Sequence, residues 1–315
     1  MRTTKLLIVT IALVMAYGNA NAQFGIQRAV QRGVERAVEK KAEEKAEEAI
    51  NKAVEKPLEK AEEQRARGEA ELGKAIDKAQ KAQEEADAKV ANIPSEIPEV
   101  GNSPYTPSES EYAFFAMKKG AVQVIATKDA KGKITQQMRN TVKGITGAKN
   151  AFAINYESEI LDAKGKPVKD SPTLNYRVVV KDGIMYLDMK EMFRGMEGTD
   201  GYEVDMQVSG TAMKIPSNLS VGQSLEDAGA KVRIGVINCS AITTERKCLA
   251  IEDVKVEAGT FRCYKITQKT NAVMLGIRRE STTLTWYAKG VGTVKVENYD
   301  KNGNLQSSQE LISNK

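Results

Sequence analysis

A tetrad that recurs three times limits the fold more than any other feature: Asp129-Ala-Lys-Gly132, Asp162-Ala-Lys-Gly165 and Asp300-Lys-Asn-Gly303. Asp caps a type I turn, and Gly takes the left-handed position that closes a bulged hairpin. A calcium loop would need oxygen ligands at alternate positions and a distal carboxylate, and these tetrads offer Ala, Lys or Asn there. The turns at Asp182-Gly183 and Ala258-Gly259 join residues 176–181 to 184–189 and 253–257 to 260–267. β-prone runs near 122–128, 152–161, 202–208, 232–239, 278–288, 293–299 and 305–312 bring residues 109–315 to about a dozen strands. So many strands must curl or pack as two layers. The expected fold is therefore mainly β, a large antiparallel curled sheet (open barrel or sandwich), with one helical turn at 188–196.

The amino end reads differently. Arg2 and Lys5 precede a short apolar run, residues 6–16, followed by Ala20-Asn21-Ala22. This is the pattern of a secretory signal peptide over residues 1–22, cleaved before Gln23. The run is too short for a transmembrane anchor across ~30 Å of hydrocarbon. No cysteine follows it, so a lipid anchor is not expected either. The expected location is periplasmic or secreted.

Residues 23–92 are dominated by Ala, Glu, Lys, Gln and Arg, which favour helix. Apolar positions recur every four residues from Ile26 to Val54, so the stripe drifts and buries little area. The segment reads as a coiled-coil-like helix, either solvated or associating with itself or a protein partner. Four prolines (Pro94, Pro98, Pro104 and Pro107) make residues 93–108 a linker ahead of the β domain at 109–315.

The net charge of +5 falls to +3 once residues 1–22 are removed. No basic cluster with interleaved aromatics appears, so a nucleic-acid partner is not expected. The chain contains no histidine, which removes His-based triads and the usual zinc and haem sites. Glu157 and Glu159 share a strand face and Glu252-Asp253 are adjacent, but surface carboxylates are usually solvated. No catalytic residue, cofactor or metal is expected, and the chain does not read as an enzyme. If Thr243-Thr244 forms a two-residue hairpin turn, Cys239 faces Cys248 in the close-approach register, which predicts a Cys239–Cys248 disulfide with Cys263 as a buried free thiol.

The runs 252–266, EDVKVEAGTFRCYKI, and 286–305, WYAKGVGTVKVENYDKNGNL, resemble the signature hairpins of a bacterial exported family of unknown function, the TapB-like proteins. The passages 214–228 and 181–190 resemble its other recurring stretches. The resemblance implies one β-rich domain in the envelope or outside the cell and brings no activity, cofactor or catalytic residue. Within these motifs Gly259, Gly290 and Gly292 permit special backbone geometry, and Phe261, Cys263, Trp286 and Tyr299 read as packing residues. The expected function is a non-catalytic binding or envelope-structural protein. The alternative is a carrier of an apolar ligand such as a lipid, lined by Met185, Met189, Met192, Phe193, Met196, Met206 and Met213.

Overall fold

The structure is a computed structural model that describes residues 58–91, 93, 96–169, 171, 173–188, 206–210, 212–234, 237–274 and 277–315. The predicted signal peptide, the first part of the predicted helix and most of the predicted turn at 188–196 lie outside these residues. Among the described residues one α-helix, α1 (Leu58–Ala91), and a 3-10 turn (Glu109–Glu111) precede thirteen strands. These are β1 (Val122–Asp129), β2 (Ile134–Ala148), β3 (Ala151–Leu161), β4 (Leu174–Lys181), β5 (Ile184–Leu187), β6 (Met206–Gly210), β7 (Met213–Pro216), β8 (Ala228–Ile234), β9 (Ile237–Val256), β10 (Gly259–Met274), β11 (Ile277–Ala288), β12 (Gly292–Asp300) and β13 (Leu305–Asn314).

All strands belong to one sheet, in the order β6-β8-β9-β10-β11-β12-β13-β1-β2-β3-β4-β5-β7. The two outermost strands, β6 and β7, are consecutive in the chain. Only residues 211–212 separate Gly210 from Met213, so the edges meet there within about 11 Å and the sheet curls back on itself. The result is a curled antiparallel sheet rather than a sandwich.

The Asp-x-x-Gly turns explain much of this register. Asp129 Oδ1 accepts from the amides of Lys131 and Lys133 at 2.9 and 3.0 Å, and Asp162 and Asp300 repeat the pattern. Gly132, Gly165 and Gly303 have φ of 80°, 78° and 80°, which side-chain-bearing residues rarely adopt.

Three local expectations are corrected. Thr243-Thr244 is not a turn: it lies inside the unbroken strand β9, opposite Lys269 and Thr270 of β10. Two bulges interrupt that pairing, one at Glu245, with φ 51°, and one where Leu249 is squeezed outward. Cys239 and Cys248 therefore stand on the order of 25–30 Å apart along one strand at ~3.3 Å per residue, far beyond the ~7 Å a disulfide allows. The predicted disulfide does not form, and Cys239, Cys248 and Cys263 are all free and buried.

At the β9–β10 hairpin, Val256 pairs with Gly259, so the turn residues are Glu257 and Ala258. Cys263 faces Glu252. The run at 232–239 spans the end of β8 and the start of β9, which pair with each other.

The helix is also used differently from the sequence reading. Ala86 and Val90 are buried, and Gly229 on β8 leaves room for Val90 and Ile93, since a Cβ there would meet Ile93 Cδ1 at 2.9 Å. Asp87 bonds to Lys231 of β8 and to Ser240 of β9, and Gln83 Nε2 donates to Ser240 at 3.0 Å. The last turns of α1 thus spend their apolar stripe on the chain's own sheet, which leaves no coiled-coil seam there. No helix among the described residues is long and apolar enough to cross a membrane.

Residues in the predicted linker join the sheet as well. Tyr105 N donates to Ile145 O at 3.0 Å, Gly147 N to Ser103 O at 2.8 Å, and the Tyr105 ring lies 5.6 Å from that of Phe152.

Candidate functional site

The concave face of the sheet is filled from one side by residues 112–117. Ala113, Phe114, Ala116 and Met117 are buried there, and the Phe114 ring meets those of Tyr264 and Tyr287 at 5.1 and 5.9 Å. Gly290 N donates to Ala113 O at 2.8 Å. A Cβ at Gly290 would strike the Tyr112 ring at 2.6 Å, and one at Gly292 would press on the Phe114 and Phe115 backbone at 3.3 Å. These two motif glycines let the strap lie against the sheet.

Beside the strap a cleft of about 90 Å³ opens to solvent. Its walls come from β1, β2, β3, β4, β5, β10, β11, β12 and β13, so side chains far apart in sequence converge on it. The polar lining is Gln123, Asn140, Gln268, Thr285, Thr293 and Gln309, with the phenols Tyr156, Tyr176 and Tyr287. Phe115, Ile125, Met138, Met185, Leu187, Val291 and Val296 supply the apolar part. None of the lining residues is Asp, Glu, Lys or Arg.

Direct cross-strand pairing builds the polar band. Gln268 faces Thr283, Thr283 faces Asn298 and Asn298 faces Ser307, while on the other arm Gln123 faces Asn140 and Asn140 faces Ser158. Thr283 donates to Asn298 Oδ1 at 3.0 Å and Asn298 Nδ2 to Ser307 at 3.1 Å. Gln123 Nε2 donates to Val291 O and to Asn314 Oδ1, both at 2.9 Å. Hydrogen bonding makes this buried polarity tolerable.

Burial pushes the phenols of Tyr176 and Tyr287 up. For Tyr156, burial and then the neighbouring Tyr176 act in the same direction. Tyr156 and Tyr176 stack at 5.1 Å, and the Tyr156 hydroxyl donates to Ala116 O at 2.7 Å. The cleft is therefore neutral at physiological pH, with hydroxyls and carboxamides as its hydrogen-bonding groups.

Of the sequence-predicted motif residues, Gly292 lines the cleft and Gly290 sits under the strap; the others lie elsewhere. Cys263 and Trp286 are buried on the convex face in a second cluster with Ala288 and Val294, against which Phe261, Val254, Val256 and Leu284 pack. Trp286 Nε1 donates to Glu252 Oε1 at 2.7 Å, and the ammonium groups of Lys265 and Lys295 lie 4.7 and 5.2 Å from its ring centre. Tyr299 donates to Glu297 at 2.7 Å, and Gly259, with φ 136°, follows the hairpin turn. Burial raises Cys263 to about 12, helped by Asp253 and Glu252, and Cys239 likewise, helped by Asp87. Such thiols are poor nucleophiles near neutral pH.

The carboxylates weighed in the sequence form ion pairs: Glu157 with Lys143 at 3.1 Å and Glu159 with Arg139 at 2.8 Å. Of the methionines proposed as lining, Met185 borders the cleft and Met213 is buried in the core, while Met189, Met192 and Met196, with Phe193, lie outside the described residues. No cluster of three metal-ligating side chains occurs among the described residues.

These features define a single-sheet curled β protein with a neutral cleft on its concave face and a helix on its back. Residues 118–311 match the DUF3108-like family, and the chain belongs to that family. Two crystal structures share its fold. One is a protein from Bacteroides fragilis named as exported and as having a YmcC-like fold; the other is a protein from Parabacteroides distasonis named as a lipoprotein. For each the TM-score is 0.54 and the identity 20%, over 65% of this chain and 99% of that one. No curated protein matches the chain.

Proposed function

We propose that this chain is an exported envelope protein that works by binding rather than by catalysis. The observation that carries this is the chemistry of the cleft: side chains from nine strands converge there, and none can exchange a proton near neutral pH. The amino-terminal export pattern and the TapB-like hairpin runs support the cell-envelope setting. The alternative reading, an apolar-ligand carrier, rests on methionine lining, and of the side chains it invokes Met185 is the one that borders the cleft among the described residues.

The test has two parts. Expression of the whole chain with its leader in a Gram-negative host should release a mature form beginning at Gln23 into the periplasmic extract. The purified protein should give no turnover across esterase, glycosidase and phosphatase substrates. Turnover that disappears in Tyr287→Phe would overturn the binding reading, and retention of the intact leader in the cytoplasm would overturn export.

A further inference from the structure

We propose, building on the exported-envelope reading, that the end of the sheet carrying the three Asp-x-x-Gly turns is a docking surface for an anionic phospholipid membrane. Strand order makes these turns neighbours, since β12–β13, β1–β2 and β3–β4 follow one another around the sheet. Register holds them close together: Asp129 pairs with Ser307, Ala126 with Gln137 and Gln137 with Leu161. The β10–β11 hairpin closes at the same end, where Ser281 pairs with Asp300.

Charge is divided unevenly between the two ends of the sheet. Residues 129–133, 162–170, 277–280 and 300–305 hold eight Lys or Arg against five Asp or Glu, a surplus equal to that of the whole chain without residues 1–22. The hairpin turns at the other end balance, with Lys149 and Lys289 against Asp182 and Glu257. Three of the five carboxylates, those of Asp129, Asp162 and Asp300, are occupied by the amides of their own turns. Lys131, Lys133, Lys164, Lys166 and Lys301 are exposed and form no ion pair among the described residues.

The same end also shows apolar surface. Six large apolar residues are exposed among the described residues, and three of them stand here: Val168 at 37%, Ile277 at 49% and Leu305 at 36%. Each has cations beside it. Val168 lies between Lys166 and Lys169, Ile277 precedes Arg278 and Arg279, and Leu305 follows the Lys301 turn. Paired basic and aliphatic side chains suit a membrane interface, where phosphates attract the cations and the acyl boundary takes up the aliphatics. A soluble polyanion would engage the lysines alone and leave the aliphatics in water.

Co-flotation of residues 23–315 with lipid vesicles tests this. The chain should bind vesicles of phosphatidylglycerol and phosphatidylcholine in equal parts, bind phosphatidylcholine alone at least about tenfold more weakly, and be released by salt. Lys131→Gln, Lys133→Gln, Lys164→Gln and Lys166→Gln combined should weaken binding by roughly a hundredfold or more, at about fivefold per cation near an anionic surface. Lys149→Gln with Lys289→Gln, at the other end, should change it by less than about twofold. Val168→Ser, Ile277→Ser and Leu305→Ser combined should weaken vesicle binding by about tenfold and leave binding to dextran sulfate unchanged. Circular dichroism of each variant verifies the fold.

Absence of binding to the phosphatidylglycerol vesicles, equal binding to phosphatidylcholine alone, or undiminished binding by the four-lysine variant overturns the membrane surface. Vesicle binding that depends on the lysines but not on the three aliphatics also overturns it, and assigns the turns to a soluble polyanion. These measurements use purified protein, so export and turnover are read separately, by cleavage before Gln23 and by the substrate panel.

Discussion

The guanidinium of Arg246, in the middle of β9, reaches across to the backbone carbonyl of Lys214 on the edge strand β7. Nη1 and Nη2 both lie 3.3 Å from that oxygen, and Nη1 also donates to Glu226 O at 2.5 Å. Arg246 is 2% exposed. A buried cation whose two Nη groups meet carbonyl oxygens thus fastens one edge of the sheet beside the place where its two ends meet.

Removing that fastening takes a charged donor from the carbonyls of half-buried Lys214 and exposed Glu226; hydrogen bonds to charged groups are worth ~1.5–3 kcal/mol each. Arg246→Leu should therefore lower stability by about 3 kcal/mol in urea denaturation. Arg246→Lys should recover only part of the loss, because an ammonium group cannot reproduce the planar fork. Equal stability of wild type and Arg246→Leu would show that the contact contributes nothing.

Helix docking depends on a missing side chain. A Cβ at Gly229 would meet Ile93 Cδ1 at 2.9 Å and Val90 Cγ2 at 3.4 Å, so Gly229→Ala should loosen the last turns of α1 from β8 and β9. Amide exchange should accelerate in residues 80–91, with β10–β13 unchanged. Asp87→Ala should act in the same direction by removing the links to Lys231 and Ser240.

The thiols give a direct measurement of the corrected pairing. Native protein should react with no thiol reagent at pH 7.5, and denatured protein should titrate three groups, one for each free cysteine. Mass spectrometry without reductant should show no loss of two hydrogens.

Acid should unfold the protein through a small set of carboxyls. At Glu111, burial opposes ionisation, but donation from the Asn150 and Ser108 amides, the Ser108 hydroxyl and Tyr105 prevails and holds it at about 2. Asp87 and Glu297 are likewise lowered against burial, by Lys231 and Lys295 and their hydrogen-bonding neighbours, and Asp162 and Asp300 are lowered first by backbone amides. The unfolded values are ~3.9 for Asp and ~4.3 for Glu, so below about pH 5 the unfolded chain binds more protons and folding is penalised. The contribution is complete above the unfolded values and disappears as pH falls through the folded ones. Stability should be level from pH 7 to about 5 and fall toward pH 2, and Glu111→Gln should flatten that decline.

Where backbone chemistry was local, the sequence was readable. Asp129, Asp162 and Asp300 bind amides two and four residues ahead, and Asp182-Gly183 needs only its own dihedral preferences. Strand β2 was missed because Gln136, Met138 and Asn140 alternate with Gln137 and Arg139, so no apolar period of two marks it. Strand β9 was broken into a hairpin because its bulge at Glu245 follows two threonines, and a bulge is set by the partner strand rather than by its own residues. The cleft had no linear signature, since Gln123, Asn140, Gln268 and Gln309 come together only through register. The convex cluster was partly visible, in Phe261, Cys263 and Trp286, because those residues sit in two adjacent hairpins.

Curling the sheet until β6 and β7 meet through two residues has a mechanical consequence. Elsewhere around the circumference, parting two strands means breaking a row of amide–carbonyl pairs; along the line between β7 and β8, the Arg246 guanidinium, the Lys214–Glu226 ion pair and some packed apolar groups resist. Thermal breathing will concentrate there, and a lengthwise split along that line gives the interior a way to exchange its contents with the surroundings while the rest of the wall stays intact.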